Sequence, residues 1–191
     1  MNFSKFISMI ENDSLELAKK WAKGILKSRF TRTYRKLPEE KLIKLAKNVY
    51  DNLGKWLLRS TTKIEIGKIY IEVGKQRYRQ GYPLCEVIYA ANYEKRILAD
   101  HISSVGILPD ALKLYHSMDF ISRLYDFFDI ATFYLIRGYQ EALYKNVTQL
   151  KGINNEQLKE LFPNGSFHYE KASDTKSFEK LLEGFNLFKV K

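Results

Sequence analysis

The sequence predicts an all-α fold, a compact bundle of about six helices with one long C-terminal core helix and a short tail. Three observations carry this expectation. Apolar residues recur at three- and four-residue spacing through most of the first 150 positions, which is the period of a helix. Glycine and proline fall between the periodic segments, as helix stops and starts. Hydrophobic residues make up 45% of the 191-residue chain, with 12 Phe and 13 Tyr, enough to fill a core. A length of 191 residues points to one domain with an appendage. The expected division is a helical domain over 1–150 and a tail over 151–191.

The elements follow in order. Asn2 or Ser4 caps a short first helix ending near Asn12. Asp13 or Ser14 caps a second, whose Leu15, Ala18, Trp21, Ala22, Ile25 and Leu26 share helical spacing. "FTRTYRK", Phe30 to Lys36, is irregular and basic. Pro38 opens a third helix at its first turn, with Glu39 and Glu40 suited to the helix dipole. Leu42, Leu45, Ala46, Val49, Tyr50, Leu53, Trp56 and Leu57 form its apolar set. Ser60 to Thr62 break it and cap the next helix, which runs from about Lys63 to Gln80.

Gly81-Tyr82-Pro83 then reads as a helix stop followed at once by a helix start, a tight corner. Glycine accepts left-handed geometry at a helix C-terminus, and proline is pre-set for a first turn. The next helix runs from Pro83 to about Ser104, and Gly106 ends it. From Asp110 to about Leu150 one long helix is expected, with Leu114, Ile121, Phe128, Leu135 and Ala142 every seventh residue. At about 1.5 Å per residue it would span about 60 Å, so it must bend near Gly138 or project outward. Apolar residues on several of its faces suit a helix buried both in its domain and in a dimer. In the tail, "FPNGSFHYEK" carries an Asn-Gly turn signal for a small hairpin, and Ser177 to Phe185 reads as a short helix.

Composition narrows the function. One cysteine, Cys85, leaves no intrachain disulfide and no multi-cysteine metal site. It reads as a small buried hydrophobe. The N-terminus lacks the apolar run of a secretory signal, and no stretch of 18 apolar residues occurs. A soluble cytoplasmic protein without a membrane span is expected. The net charge is +10, and Lys19 to Lys47 holds eleven basic residues against Glu39 and Glu40. The patch formed by Lys19, Lys20, Lys23, Lys27, Arg29, Arg32, Arg35 and Lys36 suits a negative partner. Lysines opposite an apolar stripe are usually a solvated face; the scarcity of balancing acids is what resists that reading. Arg29, Arg32 and Arg35 interleave with Phe30 and Tyr34 as in single-strand binders, yet no nucleic-acid motif accompanies them. Nucleic acid is therefore the lesser alternative to a protein partner.

Catalytic signatures are missing. "GKIYIEVGKQ" has six residues between its glycines and no hydroxyl to bind magnesium, so it is no phosphate loop. His101, His116 and His168 have no zinc-helix spacing. No nucleophile elbow or triad occurs. A non-enzymatic protein without a metal or cofactor is expected. His101, at the edge of the stripe Leu84, Val87, Ile88, Ala91, Leu98 and Ile102, is the one candidate haem ligand, and a lone histidine there is more often a satisfied core residue.

Two cations break the apolar pattern beside the corner. Arg77 falls in the arc of Ile66, Ile69, Tyr70 and Val73, and Lys95 falls in the next helix's stripe, bordered by Glu94 and His101. Charges on core-facing arcs are costly unless paired or bound to an anion. The plain reading is that Lys95 snorkels and Arg77 pairs with Glu94 or Glu86. The sharper reading is a polar pocket for an anionic ligand, built from Arg77, Glu94, Lys95 and His101. Arg96 shares the opposite face with Tyr89 and Tyr93, where it can stack on a ring.

Three stretches carry a family resemblance: "LELAKKWAKGIL" with "FTRTYRKLPEEKL", then "NLGKWL", then "GKQRYRQGYPLCEV". Together they resemble the N-terminal domain of RsbRD-type proteins, relatives of the RsbR co-antagonists of bacterial stressosomes. The family's G-x-x-R-x-x-x-G helix running into P-L-x-E is matched by Gly74, Arg77, Gly81, Pro83, Leu84 and Glu86. The resemblance covers roughly Leu15 to Leu150. It implies an all-helical sensory input module in stress signalling, globin-like, dimeric and without haem. It also implies a downstream STAS domain, for which the expected tail is too short. The function expected is a regulatory input domain acting through a ligand or a protein partner, with a homodimer formed through the long helix, and haem binding at His101 or nucleic-acid binding at Lys19–Lys47 as alternatives.

Overall fold

A computed structural model describes residues 3–57, 63–106, 111–150 and 152–162. Among them are seven α-helices, one 3₁₀ helix and no strand, so the all-α class holds with one helix more than expected. The helices are α1 (Phe3–Asn12), α2 (Ser14–Lys27), α3 (Glu39–Leu57), α4 (Lys63–Arg79), α5 (Leu84–Gly106), α6 (Ala111–Thr148) and α7 (Asn155–Leu161). The 3₁₀ turn Arg32–Lys36 occupies the basic irregular stretch. The cap at Ser60 to Thr62, the start of the long helix at Asp110, the Asn-Gly hairpin and the helix from Ser177 lie outside the described residues.

The chain forms two compact units, each discontinuous in sequence. Unit 1 comprises Met1–Thr62 and Cys85–Ile130, and unit 2 comprises Lys63–Leu84 and Ala131–Lys191. The 38-residue α6 contributes its first half to unit 1 and its second half to unit 2.

Unit 1 is built on the amphipathic faces the sequence shows. Phe6 and Ile10 of α1, Ala18, Trp21, Ala22 and Ile25 of α2, and Leu42, Ala46, Tyr50 and Leu53 of α3 are buried. Val87, Ala90, Ile97, Leu98 and Ile102 of α5 join Phe120, Leu124, Phe127 and Phe128 of α6. Each fully buried Val, Leu, Ile or Phe side chain among them contributes about 1.5–3 kcal/mol. Polar atoms fix the register. The Trp21 indole donates to the Ala90 carbonyl at 3.1 Å, tying α2 to α5. Phe6 and Phe120 meet at 5.0 Å, and Trp56 stacks on Phe127 at 5.4 Å.

Pro38 sits just ahead of α3, where its carbonyl accepts from the Lys41 and Leu42 amides. Asp13 holds the N-cap position of α2 but makes no side-chain cap bond there. Its carboxylate is instead 3.1 Å from His101 Nε2.

In unit 2, α4 and the second half of α6 cross through two glycines. A Cβ built on Gly74 would run into the Leu135 carbonyl oxygen, and one on Gly138 would run into the Ile71 carbonyl oxygen. Only residues without a side chain let the two backbones come this close. Gly138, expected as a bend point, thus serves a close approach. Beside the crossing, Lys75 bridges Glu72 and Glu141, each at 3.1 Å, and Arg137 Nε lies 3.4 Å from Glu141. The tail contributes α7, which the sequence reading passed over. Its N-terminus carries a capping box: Asn154 accepts from the Gln157 amide at 2.8 Å, and the Gln157 side chain accepts from the Asn154 amide at 3.0 Å.

Candidate functional site

The corner after α4 organises the site, and its geometry follows from one backbone choice. Gly81 has φ +72, which favours glycine. With this residue left-handed, the Gly81 amide donates to the Tyr78 carbonyl at 2.9 Å, and the Tyr82 amide donates to the Arg77 carbonyl at 3.1 Å. That pair of bonds is the Schellman motif. It folds the chain back so that Tyr82, five residues on, returns to the level of Arg77. The Arg77 guanidinium lies 5.4 Å from the Tyr82 ring centroid, and its Nη1 donates to Gln80 Oε1 at 2.9 Å.

This corrects the expectation for Arg77. Its partners are the ring and the amide of its own cap, and its side chain is half-buried rather than in the core. Glu86, one of the two acids proposed to neutralise it, accepts from the Thr33 amide at 2.8 Å and from the Thr33 hydroxyl at 3.1 Å.

Around the corner opens a cleft of about 680 Å³. Its walls come from the end of α4 (Tyr78, Arg79), the corner (Gly81, Tyr82, Pro83) and the last turns of α6 (Tyr139, Ala142, Lys145, Asn146, Gln149). The walls are pinned by direct bonds. The Tyr139 hydroxyl donates to the Tyr82 carbonyl at 2.8 Å, and the Asn146 amide donates to the Tyr78 hydroxyl at 2.7 Å. Tyr78 and Tyr139 meet edge to face at 5.3 Å. Arg79 and Lys145 bring two positive charges, and no carboxylate is among the described lining residues. Both cations sit in the last turn of their helices, where they also complement the helix dipole. A cleft this size, with aromatic walls and a few polar groups, has the makings of a small-molecule site.

The other proposed ligand residues belong to unit 1 and face separate partners. Glu94 is buried and lies beside Tyr50. Tyr50 is fully buried, its hydroxyl has no hydrogen-bond partner among the described residues, and burial, then Glu94, then Tyr93 push its phenol well above the ordinary value. Lys95 pairs with Asp129 at 2.7 Å and lies 4.9 Å from the Tyr125 ring. His101 directs Nε2, an atom that would ligate haem iron, at Asp13. The buried arc of α5 is therefore turned toward Glu94, leaving Lys95 at its rim. Cys85, expected buried, is exposed.

The basic patch is also in unit 1. Lys19, Lys20, Lys23, Lys27, Arg29, Arg32, Arg35 and Lys36 are all exposed. Lys19 pairs with Glu16 at 2.7 Å. Arg35 is committed to the end of α2, donating to the Leu26 and Ser28 carbonyls, both at 3.1 Å. Arg96 lies over the Tyr93 ring at 4.9 Å, in the stacked arrangement expected for that face.

Sequence reasoning found Gly81 and Pro83 but missed Tyr78, Arg79, Tyr139, Lys145 and Asn146. Their signal was available in part: both cations occupy a last helical turn, and Arg79 lies two residues before Gly81. No group of three or more His, Cys, Asp or Glu residues that could hold a metal occurs among the described residues. No described helix is long and apolar enough to cross a membrane.

The described residues thus form an all-helical domain with a cleft at a helix corner. The model of the histidine kinase N-terminal family matches residues 4–141, and the chain belongs to that family. It is thus a signalling domain of the sensor type. The matched stretch includes the corner and ends before Ala142, Lys145, Asn146 and Gln149, so one wall of the cleft lies beyond it. No curated protein and no solved structure matches the chain.

Proposed function

We propose that this chain is a non-enzymatic sensory or regulatory input domain that reads an anionic small molecule at the Gly81 corner and passes the signal to a protein partner. The observation that supports the reading most directly is the cleft itself. Two cations face it, no carboxylate lines it among the described residues, and three tyrosines supply walls held by hydrogen bonds. Family membership supports the sensory role, and the RsbRD resemblance adds stress signalling as its setting.

The test is native mass spectrometry of protein purified from its own host. The expected result is a bound anionic small molecule that is lost from the Arg79→Gln/Lys145→Gln variant while the helical content stays. An adduct retained by that variant, or wild-type protein with no adduct, refutes the reading.

A homodimer through α6 has its own support in unit 1. Leu114, Tyr115, Met118 and Tyr125 are 54%, 67%, 62% and 41% exposed and lie on one side of the helix. Exposed apolar stripes of this kind mark interaction sites. Light scattering on wild type and Met118→Glu decides it: a dimer that dissociates in the variant is expected, and a monomeric wild type refutes it.

A further inference from the structure

We infer that the loop between α2 and α3, together with the exposed face of α2, docks peripherally on an anionic membrane surface. The inference is independent of the cleft and rests on three features of unit 1.

The first is uncompensated charge. Lys20, Lys23, Lys27, Arg32 and Lys36 are exposed and have no ion-pair partner among the described residues. The second is Phe30, 53% exposed within this cationic stretch. The loop that carries it is well tied. The Thr31 hydroxyl donates to the Ile25 carbonyl at 2.6 Å, the Phe30 amide donates to Ser28 Oγ at 3.1 Å, and Arg35 closes the end of α2. The ring is held in solvent by an ordered loop, which leaves apolar area unburied. The third is a ladder of planar groups behind it. The Arg29 guanidinium lies 4.9 Å from the Phe30 centroid, and Tyr89 lies 5.1 Å away. Tyr93 continues the row, parallel to Tyr89 at 6.4 Å, and Arg96 lies beyond it at 4.9 Å. Gly24 makes room for Tyr93, because a Cβ there would overlap the phenol.

These features choose among negative partners. Single-stranded nucleic acid stacks its bases on open ring faces. Here the Arg29 guanidinium and the Tyr89 ring already lie within 5.1 Å of the Phe30 centroid, which reduces the ring area open to a stacked base. Fixed carboxylates on a protein are matched best by the planar fork of arginine, but Arg29 is laid over Phe30 and Arg35 is bound to two carbonyls, so that of the five other cations without an ion pair four are lysines, point charges on flexible stems. A fluid anionic surface has no fixed charge positions and accepts an aromatic edge at its interface.

The test is co-sedimentation of the full chain with phosphatidylcholine vesicles, with and without phosphatidylglycerol. A labelled single-stranded DNA oligonucleotide is followed in parallel by anisotropy. Binding to the anionic vesicles alone, weakening as salt rises, is expected. Lys23→Gln/Lys27→Gln should weaken it about 25-fold, at about fivefold per cation near the surface. Phe30→Ala should weaken it about tenfold while keeping every charge. The lysine pair lies on a solvated helix face and tests the proposal even if the loop variant loses its fold. Equal binding to neutral vesicles, no binding at low salt, or full binding by the lysine variant overturns the proposal. So does salt-sensitive capture of the oligonucleotide without capture of vesicles, which would assign the surface to nucleic acid.

Discussion

Gly74→Ala places two opposing effects on one atom. A Cβ in the middle of α4 adds about 1 kcal/mol of helix propensity. The same Cβ would fall on the Leu135 carbonyl oxygen and 2.8 Å from the Tyr139 amide nitrogen. Both atoms belong to the α6 backbone, so no side-chain rotation relieves the overlap; the two helices must part. Overpacking of this kind costs about 1–3 kcal/mol, occasionally more. Parting the helices also re-exposes Ile71 and Leu135, now 6% and 5% exposed, at about 25 cal/mol for each Å² of apolar surface uncovered. The steric terms exceed the propensity gain, and a net loss of about 1–3 kcal/mol is expected. For a chain of this size each kcal/mol lowers Tm by roughly 2–4 °C. Urea and thermal unfolding followed by circular dichroism at 222 nm read the effect. Gln76→Ala on the exposed side of α4 is the control, expected to be neutral or slightly stabilising. Gly74→Ala as stable as Gln76→Ala would show that the two backbones do not meet, and the crossing would have to be abandoned.

Gly81→Ala has open space around it, so its expected cost of about 1 kcal/mol comes from the left-handed backbone alone, and Gly81→Asn should recover part of it; unchanged melting of the alanine variant would contradict the cap. Arg77→Met removes one exposed hydrogen bond and one ring contact, and should cost no more than about 1 kcal/mol; a loss of several kcal/mol in urea unfolding would reveal a buried anionic partner instead. Ala142→Trp fills the cleft from α6 and should change stability by no more than about 0.5 kcal/mol while abolishing the bound adduct in native mass spectrometry. Burial, then Asp129, hold the Asp126 carboxyl above its ordinary 3.8, with Arg123 partly opposing them. A raised folded-state value means that ionisation opposes folding, a penalty present at neutral pH and relieved as pH falls through that value. Asp126→Asn should therefore raise Tm at pH 7, and the advantage should vanish at pH 3.

The sequence announced the helices and the corner because both are local. Helical period is written in every apolar stretch, and the Gly-Tyr-Pro step needs only three residues to declare itself. The partner of Arg77 was not legible, because projecting its arc along α4 treats the helix as continuing. The chain reverses at Gly81, and Tyr82 takes the place that a later turn would have held. The paired use of Gly74 and Gly138 was equally hidden, since 64 residues separate them and nothing in either neighbourhood names the other. Cys85 is exposed for a different reason: cysteine as a residue type favours burial, but its position is off the apolar stripe of α5. Glu94 shows the reverse: its neighbour Tyr50 comes from α3, so its burial depended on a packing partner that the periodicity of α5 could not name. The cleft required the last turns of α6 to meet the end of α4, a long-range fact for which the Arg79 and Lys145 positions gave only half a signal.

The two kinds of glycine in unit 2 bear on how an occupied cleft would be felt. At Gly74 and Gly138 the backbones are already in contact, each glycine facing a carbonyl oxygen of the other helix, which leaves little room for one helix to slide past the other. At Gly81 nothing lies within 4 Å of a built Cβ, and the strain is confined to one dihedral. An occupant therefore meets a stiff crossing on one side and a comparatively open cap on the other. The bonds nearest to it are the Tyr139–Tyr82 and Asn146–Tyr78 hydrogen bonds, neither of them fully buried. Exchanging such bonds for bonds to a ligand costs little, because each contributes only about 1 kcal/mol net. The easiest response to binding is thus a rearrangement of Tyr78, Tyr82 and Asn146 around a fixed α4–α6 pair. Since the Tyr82 ring also carries the Arg77 guanidinium, that rearrangement would change how Arg77 is presented at the surface, giving a small molecule in the cleft a route to a partner's contact without unfolding either helix.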